Sequence, residues 1–423
     1  MKILLPVHQY LPRHRAGTEV FTHSLAKRLA ERHEVLVYTH ESTLDNGAWP
    51  DVTEEYDGVR VRRVAAWLGQ QRVPPWQVFR YSYDNSLIET DYAKTLRDFA
   101  PDVVHVQHLK DLSVGILEQT AQANIPLLMT LHDYWALCPN AQFIRPDASI
   151  CTGTHARLEC GWCAAERLGA PLLRLAAPAM IPLFAARDRA IRRQMAYVQR
   201  FIAPSQFLRE QYVRAGYPAE KIQHIENGID LSRLQAAAQA PRGPLRGHYA
   251  YLGSIAWQKG VHVLVEAFRR LGDVGAKLRI WGKLTTFPDY AAQLQEAIQD
   301  CPWIKLEGEL DHNQVSDALA WADYLVVPSV WWENAPSTIV EAYAAHVPVI
   351  ASRLGALTER VRETETGFLF APGDAEDLLR VIQHTLREPA LLEQLRAALP
   401  SVKSAEEYTD EMEVIYHELR QGS

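Results

Sequence analysis

The chain alternates short runs of consecutive apolar residues with longer segments whose apolar residues recur at helical spacing. Residues 3–5, 35–38 and 103–106 have the pattern of buried strands, and residues 20–29 have that of an amphipathic helix. The alternation stops in an aperiodic stretch at residues 236–247 that contains two prolines and two glycines, and it then begins again. Strands that alternate with helices predict a parallel sheet with helices on both faces, here built twice.

The pattern therefore predicts an α/β protein made of two Rossmann-like domains. The predicted boundaries are an N-terminal domain over residues 1–235, a linker over 236–247, a second domain over 248–400 and a final helical segment over 401–423. A cysteine-rich loop at residues 138–163 interrupts the first domain. Because ligands of open parallel sheets bind at the carboxyl ends of the strands, we expect the two domains to face each other across a ligand-binding cleft.

Composition narrows the classes of function. The 423 residues are 48% hydrophobic and 22% charged, which is typical of soluble globular proteins. A net charge of −7 argues against a nucleic-acid partner. The apolar run at the N-terminus ends at Pro6, too early for a signal peptide, and the apolar region 171–186 is broken by Arg174, Pro178 and Pro182. We therefore expect a cytoplasmic protein.

Several well-known motifs are absent from the sequence. It contains no G-x-x-x-x-G-K-[ST] phosphate loop, no H-E-x-x-H, no G-x-S-x-G and no G-x-G-x-x-G. It also contains no Asp-x-Asp, the pair of hard oxygen ligands with which metal-dependent sugar transferases hold a divalent cation. No catalytic metal is therefore expected, and protein cations and backbone N–H groups would have to bind any diphosphate.

Residues 326–342 carry the most informative chemistry. A strand is predicted to end near Pro328 and a helix to begin near Pro336, which places Glu333 on the connecting loop and Glu341 about two turns into the helix. Two carboxylates can accept hydrogen bonds from vicinal hydroxyls, and the start of a helix can bind phosphate. The alternative is a pair of solvated acids near a helix start.

This segment resembles the Glu-x7-Glu motif of the group 1 family of retaining glycosyltransferases, whose two Rossmann-like domains form the GT-B fold. Further matches to that family occur in order along nearly the whole chain, at residues 16–19, 33–35, 131–134, 203–205, 221–230, 253–260, 355–359, 367–369 and 373–374. Each match is weak alone, whereas their order and spacing together are specific.

The resemblance implies roles for residues of the second domain. Glu341 would hold the ribose hydroxyls of a nucleotide, Glu333 the hydroxyls of the donor sugar, and Lys259 the diphosphate. Sugar and phosphates would contact the backbone of the loop at Asn334, Ala335, Pro336 and Ser337, through the N–H groups of all of these except the proline. From local sequence alone, Lys259 could equally be a solvated residue before Gly260.

In the first domain, the resemblance places Gly17 beside the donor phosphates and the acceptor, and His132 near the reacting sugar. A buried structural histidine is the alternative for His132. The family usually has an arginine directly after the glycine at position 253, where this chain has Ser254. Lys259 and the helix start would then suffice for phosphate binding, or another cation such as Lys283 would contribute.

The function that follows is the transfer of a sugar, with retention of configuration, from a nucleotide diphosphate donor to a hydroxyl of a glycan or lipid-linked acceptor. Two alternatives remain: a sugar-nucleotide-binding scaffold without activity, and a phosphorylase-like or epimerase-like enzyme on the same fold. The arginine-rich segment 168–200 allows peripheral contact with the inner face of a membrane, although packing on the first domain is the simpler interpretation.

Four of the five cysteines are close together in sequence, at Cys138, Cys151, Cys160 and Cys163. The last two form a C-x-x-C, and the spacing indicates structural zinc bound by four thiolates. Two disulfides or free buried thiols are the alternatives, of which disulfides are disfavoured in a reducing compartment. A subset of the same glycosyltransferases has such a cluster after His-Asp-Tyr-Trp, as at residues 132–135 here.

Overall fold

The computed structural model describes residues 1–41, 52–65, 74–153, 157–167, 169, 171–241, 243–311 and 314–422. The chain divides into two compact units. Unit 1 comprises Met1–Glu226 and Ala405–Ser423, and unit 2 comprises Asn227–Ser404.

The strands are short and mostly buried. They are β1 Lys2–Pro6, β2 Glu34–Glu41, β3 Val52–Tyr56, β4 Val59–Ala65, β5 Val103–Val106, β6 Leu127–Thr130, β7 Arg200–Ala203, β8 Ile222–His224, β9 His248–Leu252, β10 Lys277–Trp281, β11 Ile304–Gly308, β12 Tyr324–Val327, β13 Val349–Ser352 and β14 Gly367–Phe370.

Helices separate most of these strands. They are α1 Gly17–Ala30, α2 Pro75–Tyr81, α3 Ser86–Phe99, α4 Gly115–Gln122, α5 Leu158–Arg167, α6 Ala177–Met195, α7 Gln206–Arg214, α8 Gln235–Gln239, α9 Val261–Leu271, α10 Pro288–Ala297, α11 Val315–Trp321, α12 Ser337–Ala344, α13 Leu357–Arg360, α14 Ala375–Arg387, α15 Ala390–Ala397 and α16 Ala405–Gln421.

Each unit is built on one sheet, as the alternation of strands and helices predicts. Within the described residues, the sheet of unit 1 has the order β3-β4-β2-β1-β5-β6-β7-β8, and that of unit 2 has the order β11-β10-β9-β12-β13-β14. Neighbouring strands are parallel except β3, which pairs antiparallel with β4. Both sheets thus reverse their strand order next to the first strand of the unit, where ligands of such folds bind.

The C-terminal helix α16 belongs to unit 1. Its residues Tyr408, Met412 and Tyr416 are buried in the same apolar core as Ile3 and Leu5 of β1. The hydroxyl of Tyr416 also lies 2.7 Å from Nδ1 of His105. The last segment of the chain is therefore part of the first domain, which sequence periodicity alone could not indicate.

The division between the units falls after Glu226, before the linker predicted at 236–247. The predicted linker overlaps α8, and Ala237 of this helix is fully buried in the core of unit 2 together with Leu234. A five-residue helix of alanine and glutamine has no apolar period to reveal it. Its packing is instead determined by its neighbours in unit 2.

Arginines of α6 contact neighbouring segments of unit 1. Arg187 is 1% exposed, its guanidinium donates to the carbonyl of Trp135, and its Cζ lies 5.0 Å from the centre of the Trp135 ring. Arg192 donates to the carbonyl of Ala215. These contacts are those of a helix packed on the first domain. In the residues that the structure describes, none of the helices combines the length and apolarity needed to cross a membrane.

Candidate functional site

The loop between β12 and α12 holds a buried carboxylate in a fixed orientation. Glu333 is 5% exposed, and its Oε1 accepts hydrogen bonds from Ser329 Oγ at 2.6 Å and from Trp331 Nε1 at 2.9 Å. The loop follows the carboxyl end of a central strand, as predicted. Two donors from its own loop hold the Glu333 carboxylate in place, which a merely solvated acid would not require.

Lys259 completes the surroundings of this carboxylate. Its Nζ lies 2.7 Å from Oε1 and 3.0 Å from Oε2 of Glu333, and it lies 5.1 Å from the centre of the Trp331 ring. The lysine side chain is 26% exposed, so the ion pair is partly open to solvent. The structure thus brings together two residues that are 74 positions apart in sequence.

Gly260 explains how Lys259 reaches the loop. Its φ is +71°, and a Cβ added there would lie 1.8 Å from the carbonyl oxygen of Pro328. Next to this contact, the N–H of Val330 donates to the carbonyl of Gln258 at 2.9 Å. Since only glycine allows both the left-handed conformation and so close an approach, Gly260 fixes the Lys259 segment against the end of β12.

Glu341 lies on α12 and remains partly exposed. Burial raises the pKa of Glu341, and the nearby Arg233 guanidinium opposes this rise. The helix begins at Ser337 with Pro336 as its N-cap, one residue later than the sequence indicates. Asn334, Ala335 and Pro336 are partly exposed and Ser337 is exposed, so this loop and helix start are accessible to a ligand.

Ser254 lies at the carboxyl end of β9 with its side chain exposed. Its carbonyl accepts a hydrogen bond from the hydroxyl of Tyr251 at 2.8 Å, which shapes the turn after Gly253. Lys283, the other cation considered from sequence, is exposed and lies 4.0 Å from Glu309. Lys283 is therefore part of a surface ion pair, whereas Lys259 is bound at the candidate site.

In unit 1, His132 follows β6, as expected. Its Nε2 lies 3.0 Å from Oε1 of Gln107, and the ring of Phe21 packs on it at 5.2 Å. Burial lowers the pKa of His132 to about 3, with the neighbouring His108 adding to the effect. The imidazole is therefore neutral, and its contact with Gln107 makes it a hydrogen-bond donor there.

Gly17 is the first residue of α1 and not part of the preceding loop. A Cβ added to it would meet no described protein atom within 4 Å. The packing of the protein therefore does not require glycine at this position, and the predicted close approach of the protein backbone to a ligand remains the reason to single it out.

Only part of the predicted cysteine-rich loop at 138–163 is a loop, because its last residues belong to the helix α5. Cys160 and Cys163 are on α5, and Nη1 of Arg157 lies 3.7 Å from the sulfur of Cys160. Burial raises the pKa of Cys160 to about 11 and also raises that of Cys151, with the Cys138 sulfur contributing to both shifts. All four are thiols rather than disulfides. Across the described ranges, no three His, Cys, Asp or Glu side chains are placed to hold a metal ion.

Sequence reasoning missed the residues that orient the predicted ones. Ser329 and Trp331 bind Glu333, and Gln107 binds His132. Their positions directly after β12 and β5 are a usable signal, since strand ends in parallel sheets line ligand sites. Which of these side chains touch each other depends on contacts that only the folded chain shows.

Comparison with known families identifies the family of the chain. The model for Glycosyltransferase Family 4 matches residues 15–233, which is more than half of the chain. The chain belongs to glycosyltransferase family 4. The model for Glycosyl transferases group 1 matches residues 246–388, which lie in unit 2. This is the family whose Glu-x7-Glu motif residues 333–341 resemble. Glu333, Glu341 and Lys259 lie within that second match.

Similar curated proteins are themselves glycosyltransferases. This glycosyltransferase is 34% identical to the glycogen synthase of Mycobacterium tuberculosis over 169 residues, 39% of this chain and 40% of that protein. It is 25% identical to D-inositol 3-phosphate glycosyltransferase 1 of Catenulispora acidiphila over 398 residues, 90% of this chain and 85% of that one.

Solved structures share the fold of this glycosyltransferase. Sucrose-phosphate synthase from Thermosynechococcus elongatus superposes with a TM-score of 0.71 at 20% identity, with full coverage of both chains. Anabaena HepE in complex with UDP and glucose superposes with a TM-score of 0.65 at 16% identity, covering 100% of this chain and 99% of that one. These likenesses establish two α/β units of the GT-B type.

Proposed function

We propose that this glycosyltransferase transfers a sugar, with retention of configuration, from a nucleotide diphosphate donor to a hydroxyl of a glycan or lipid-linked acceptor. The observation that carries the proposal is the Lys259–Glu333 ion pair, which is held by Ser329 and Trp331 at the end of β12. Support comes from the UDP-bound structures of Anabaena HepE, which has the same fold.

In this proposal, Lys259 binds the diphosphate of the donor and Glu333 binds a hydroxyl of its sugar. The Lys259 ammonium has three N–H donors, two of which reach the oxygens of Glu333, so the third can bind a phosphate oxygen. Oε1 of Glu333 takes three donors, whereas Oε2 takes that of Lys259 and keeps capacity for a hydroxyl of the donor sugar. Backbone N–H groups of Asn334, Ala335 and Ser337 would complete the contacts.

The step itself needs little from the protein beyond charge stabilisation. The bond between the anomeric carbon and the diphosphate breaks with its electron pair on the leaving phosphate, and the acceptor oxygen bonds on the same face. The acceptor proton leaves with the diphosphate. Lys259 stabilises the charge that grows on the leaving group. Since Lys283 is paired at the surface, we assign phosphate binding to Lys259 and the start of α12, with Ser254 contributing no cation.

Release of nucleoside diphosphate, measured with a panel of nucleotide sugars in the presence and absence of sugar acceptors, tests this function. The proposal expects release that one donor supports and that a hydroxyl acceptor accelerates. Binding without release would indicate the scaffold. Release that no acceptor accelerates, or formation of a sugar phosphate from inorganic phosphate, would indicate the epimerase-like or phosphorylase-like alternative.

Glu341→Gln is expected to weaken the binding of UDP by about 1–3 kcal/mol, because a charged acceptor for ribose hydroxyls is lost.

The same substitution should raise the stability of the folded chain or leave it unchanged. Because burial raises the pKa of Glu341, the folded chain binds the proton of this carboxyl more tightly than the unfolded chain does. The ionised carboxylate therefore lowers the free energy of unfolding once the pH rises above the ordinary glutamate pKa of about 4.3. At pH 7 the variant should unfold at the same or a higher denaturant concentration.

Titration calorimetry with UDP and urea unfolding measure the two effects. The exposed Glu296 on α10 provides a matched control in Glu296→Gln, which should change neither quantity. Unchanged UDP affinity in Glu341→Gln would remove the ribose assignment.

We further propose that the thiols of Cys138, Cys151, Cys160 and Cys163 hold one structural zinc ion. Support comes from the spacing of the four cysteines, two of them in a C-x-x-C on α5, since thiolates are soft ligands that zinc prefers. In the described residues these side chains are not placed as a ligand set, so the segment would have to close around the ion when zinc binds. Zinc would brace the segment that follows β6, and no reaction step depends on it. Turnover itself is proposed to need no divalent cation.

Elemental analysis of anaerobically purified protein is expected to find about one zinc per chain. Cys160→Ser should lower the metal content and the acceptor-dependent rate while UDP affinity stays the same, because the cysteines are in unit 1. Cys301→Ser, at the buried cysteine of unit 2, is the control and should keep the metal. Metal-free protein with four titratable thiols would contradict the zinc proposal, and rescue of EDTA-treated enzyme by magnesium alone would contradict metal-independent turnover.

A further inference from the structure

The carboxyl edge of the sheet in unit 1 places two polar side chains side by side. His8 follows β1 and Gln107 follows β5, which is the neighbour of β1 in the sheet. The N–H of Gln107 donates to the carbonyl of Pro6 at 2.8 Å, and the His8 ring packs at 4.2 Å on the ring of His108, the residue after Gln107. The backbones of His8 and Gln107 therefore lie next to each other at the carboxyl edge of this sheet.

Gln107 presents an unused donor. The residue is fully buried, and its Oε1 is bound to Nε2 of His132 at 3.0 Å. Because the neutral His132 donates to the amide oxygen, the Gln107 amide is fixed in one orientation. Its Nε2 is buried and has no hydrogen-bond partner among the described residues. Buried amide donors in folded proteins normally have an acceptor, so this one indicates a ligand or a solvent atom.

His8 presents an unused acceptor. Its Nε2 lies 3.3 Å from Oε1 of Glu19, a carboxylate that is 2% exposed and whose Oε2 accepts from the N–H of Ala16. Burial lowers the pKa of His8 well below its usual range, and His108 adds to the effect. Because the Glu19 carboxylate can only accept, the tautomer that suits this neighbour carries its proton on Nε2. Nδ1 is then an unprotonated acceptor, buried and without a partner in the described part of the chain.

A donor and an acceptor at one edge are complementary to a group that both accepts and donates. A hydroxyl does so, whereas an ionised phosphate or carboxylate only accepts and would repel the lone pair on Nδ1. We propose that His8 and Gln107 bind a hydroxyl of the sugar acceptor other than the one that reacts, which donates to His8 Nδ1 and accepts from Gln107 Nε2. Glu19 and His132 act as positioning residues that fix the imidazole and the amide.

This assignment rests on the proposed function and adds a substrate class to it. The group that binds at this edge is an uncharged hydroxyl of a sugar or polyol. A negatively charged substituent on the acceptor must lie elsewhere, because neither His8 nor Gln107 carries a positive charge.

Kinetics of four variants test the assignment. His8→Phe keeps the ring shape without nitrogen, His8→Asn keeps an amide group near the position of Nδ1, Gln107→Leu removes the donor, and His417→Asn, at an exposed position of α16, is the control. UDP affinity and release of UDP from the donor in water are measured beside transfer to glucose, galactose, mannose and myo-inositol.

We expect His8→Phe and Gln107→Leu to lower kcat/KM for the acceptor by about 10- to 100-fold, as for a lost hydrogen bond to a buried group. UDP affinity should stay at the wild-type level, the rate in water should fall less than the rate of transfer, and His8→Asn should retain part of the transfer. Equal losses of transfer and of the rate in water would overturn the assignment, because the residues would then act on the donor or on folding.

A second measurement separates failure of this assignment from failure of the proposed function. The ¹⁵N resonance of His8 Nδ1 is followed in the UDP-bound protein while a neutral sugar or inorganic phosphate is added. A shift with at least one neutral sugar and none with phosphate supports the hydroxyl site even if no donor is turned over. Absence of a shift with every neutral sugar, or a shift with phosphate alone, refutes it.

Discussion

Lys259→Met is expected to lower the rate of sugar transfer by about 100-fold or more, which is the usual effect of removing one donor to a developing oxyanion. The lysine also holds the Glu333 carboxylate through contacts of 2.7 and 3.0 Å, so its loss disturbs two parts of the donor site together. The free energy of unfolding should fall by about 1–3 kcal/mol, because Glu333 loses a charged donor. Initial rates of nucleoside diphosphate release measure the first effect and urea unfolding the second.

Lys305→Met is the matched control, since Lys305 is an exposed lysine on β11 of the same unit. It should leave both quantities unchanged. Wild-type transfer rates in Lys259→Met would show that another cation neutralises the leaving diphosphate, and the assignment of Lys259 would then be wrong.

Gly260→Ala is expected to be among the most destabilising single substitutions in unit 2. The added Cβ would lie 1.8 Å from the Pro328 carbonyl oxygen, and alanine would be held at a φ of +71°. The cost in free energy of unfolding should be about 2–4 kcal/mol, because backbone strain and overlap with a buried carbonyl act together. UDP affinity should fall with it, since the Lys259 segment can no longer lie against the end of β12.

Gly272→Ala isolates the strain from the overlap. Gly272 lies at the other end of α9 with a φ of +73°, and a Cβ there would meet no described atom within 4 Å. With a ψ of −172°, Gly272 lies in a backbone region that is almost restricted to glycine, so the substitution should cost about 1–3 kcal/mol and leave UDP affinity unchanged. An equal loss of UDP affinity in the two variants would show that the contact between Gly260 and Pro328 has no special role.

Much of the fold follows from local pattern. The strands at β1, β5, β9 and β12 are runs of apolar residues buried on both faces, and such runs are distinctive in sequence. The antiparallel strand β3 was not predicted, because its central residues are exposed and it lacks an apolar pattern. The return of α16 to unit 1 depends on long-range packing that no local window contains.

In the site, too, some residues can be singled out from sequence, whereas the contacts between them cannot. Glu333, Glu341 and Lys259 could be singled out as candidates because their types and spacing match a family motif and follow strand ends. Ser329 and Trp331 lie within the same motif, yet their hydrogen bonds to Glu333 become visible only once the loop is folded. Gln107 and His8 could not be paired from sequence, since they are about one hundred positions apart and meet only through the order of strands in the sheet.

The central claim is that the loop after β12, α12 and the Lys259 segment together bind a nucleotide diphosphate sugar. A crystal structure of the complex with UDP tests this most directly. The account predicts ribose hydroxyls within hydrogen-bond distance of the Glu341 carboxylate and a phosphate oxygen on the Lys259 ammonium. A nucleotide that binds without contacting either residue would contradict it.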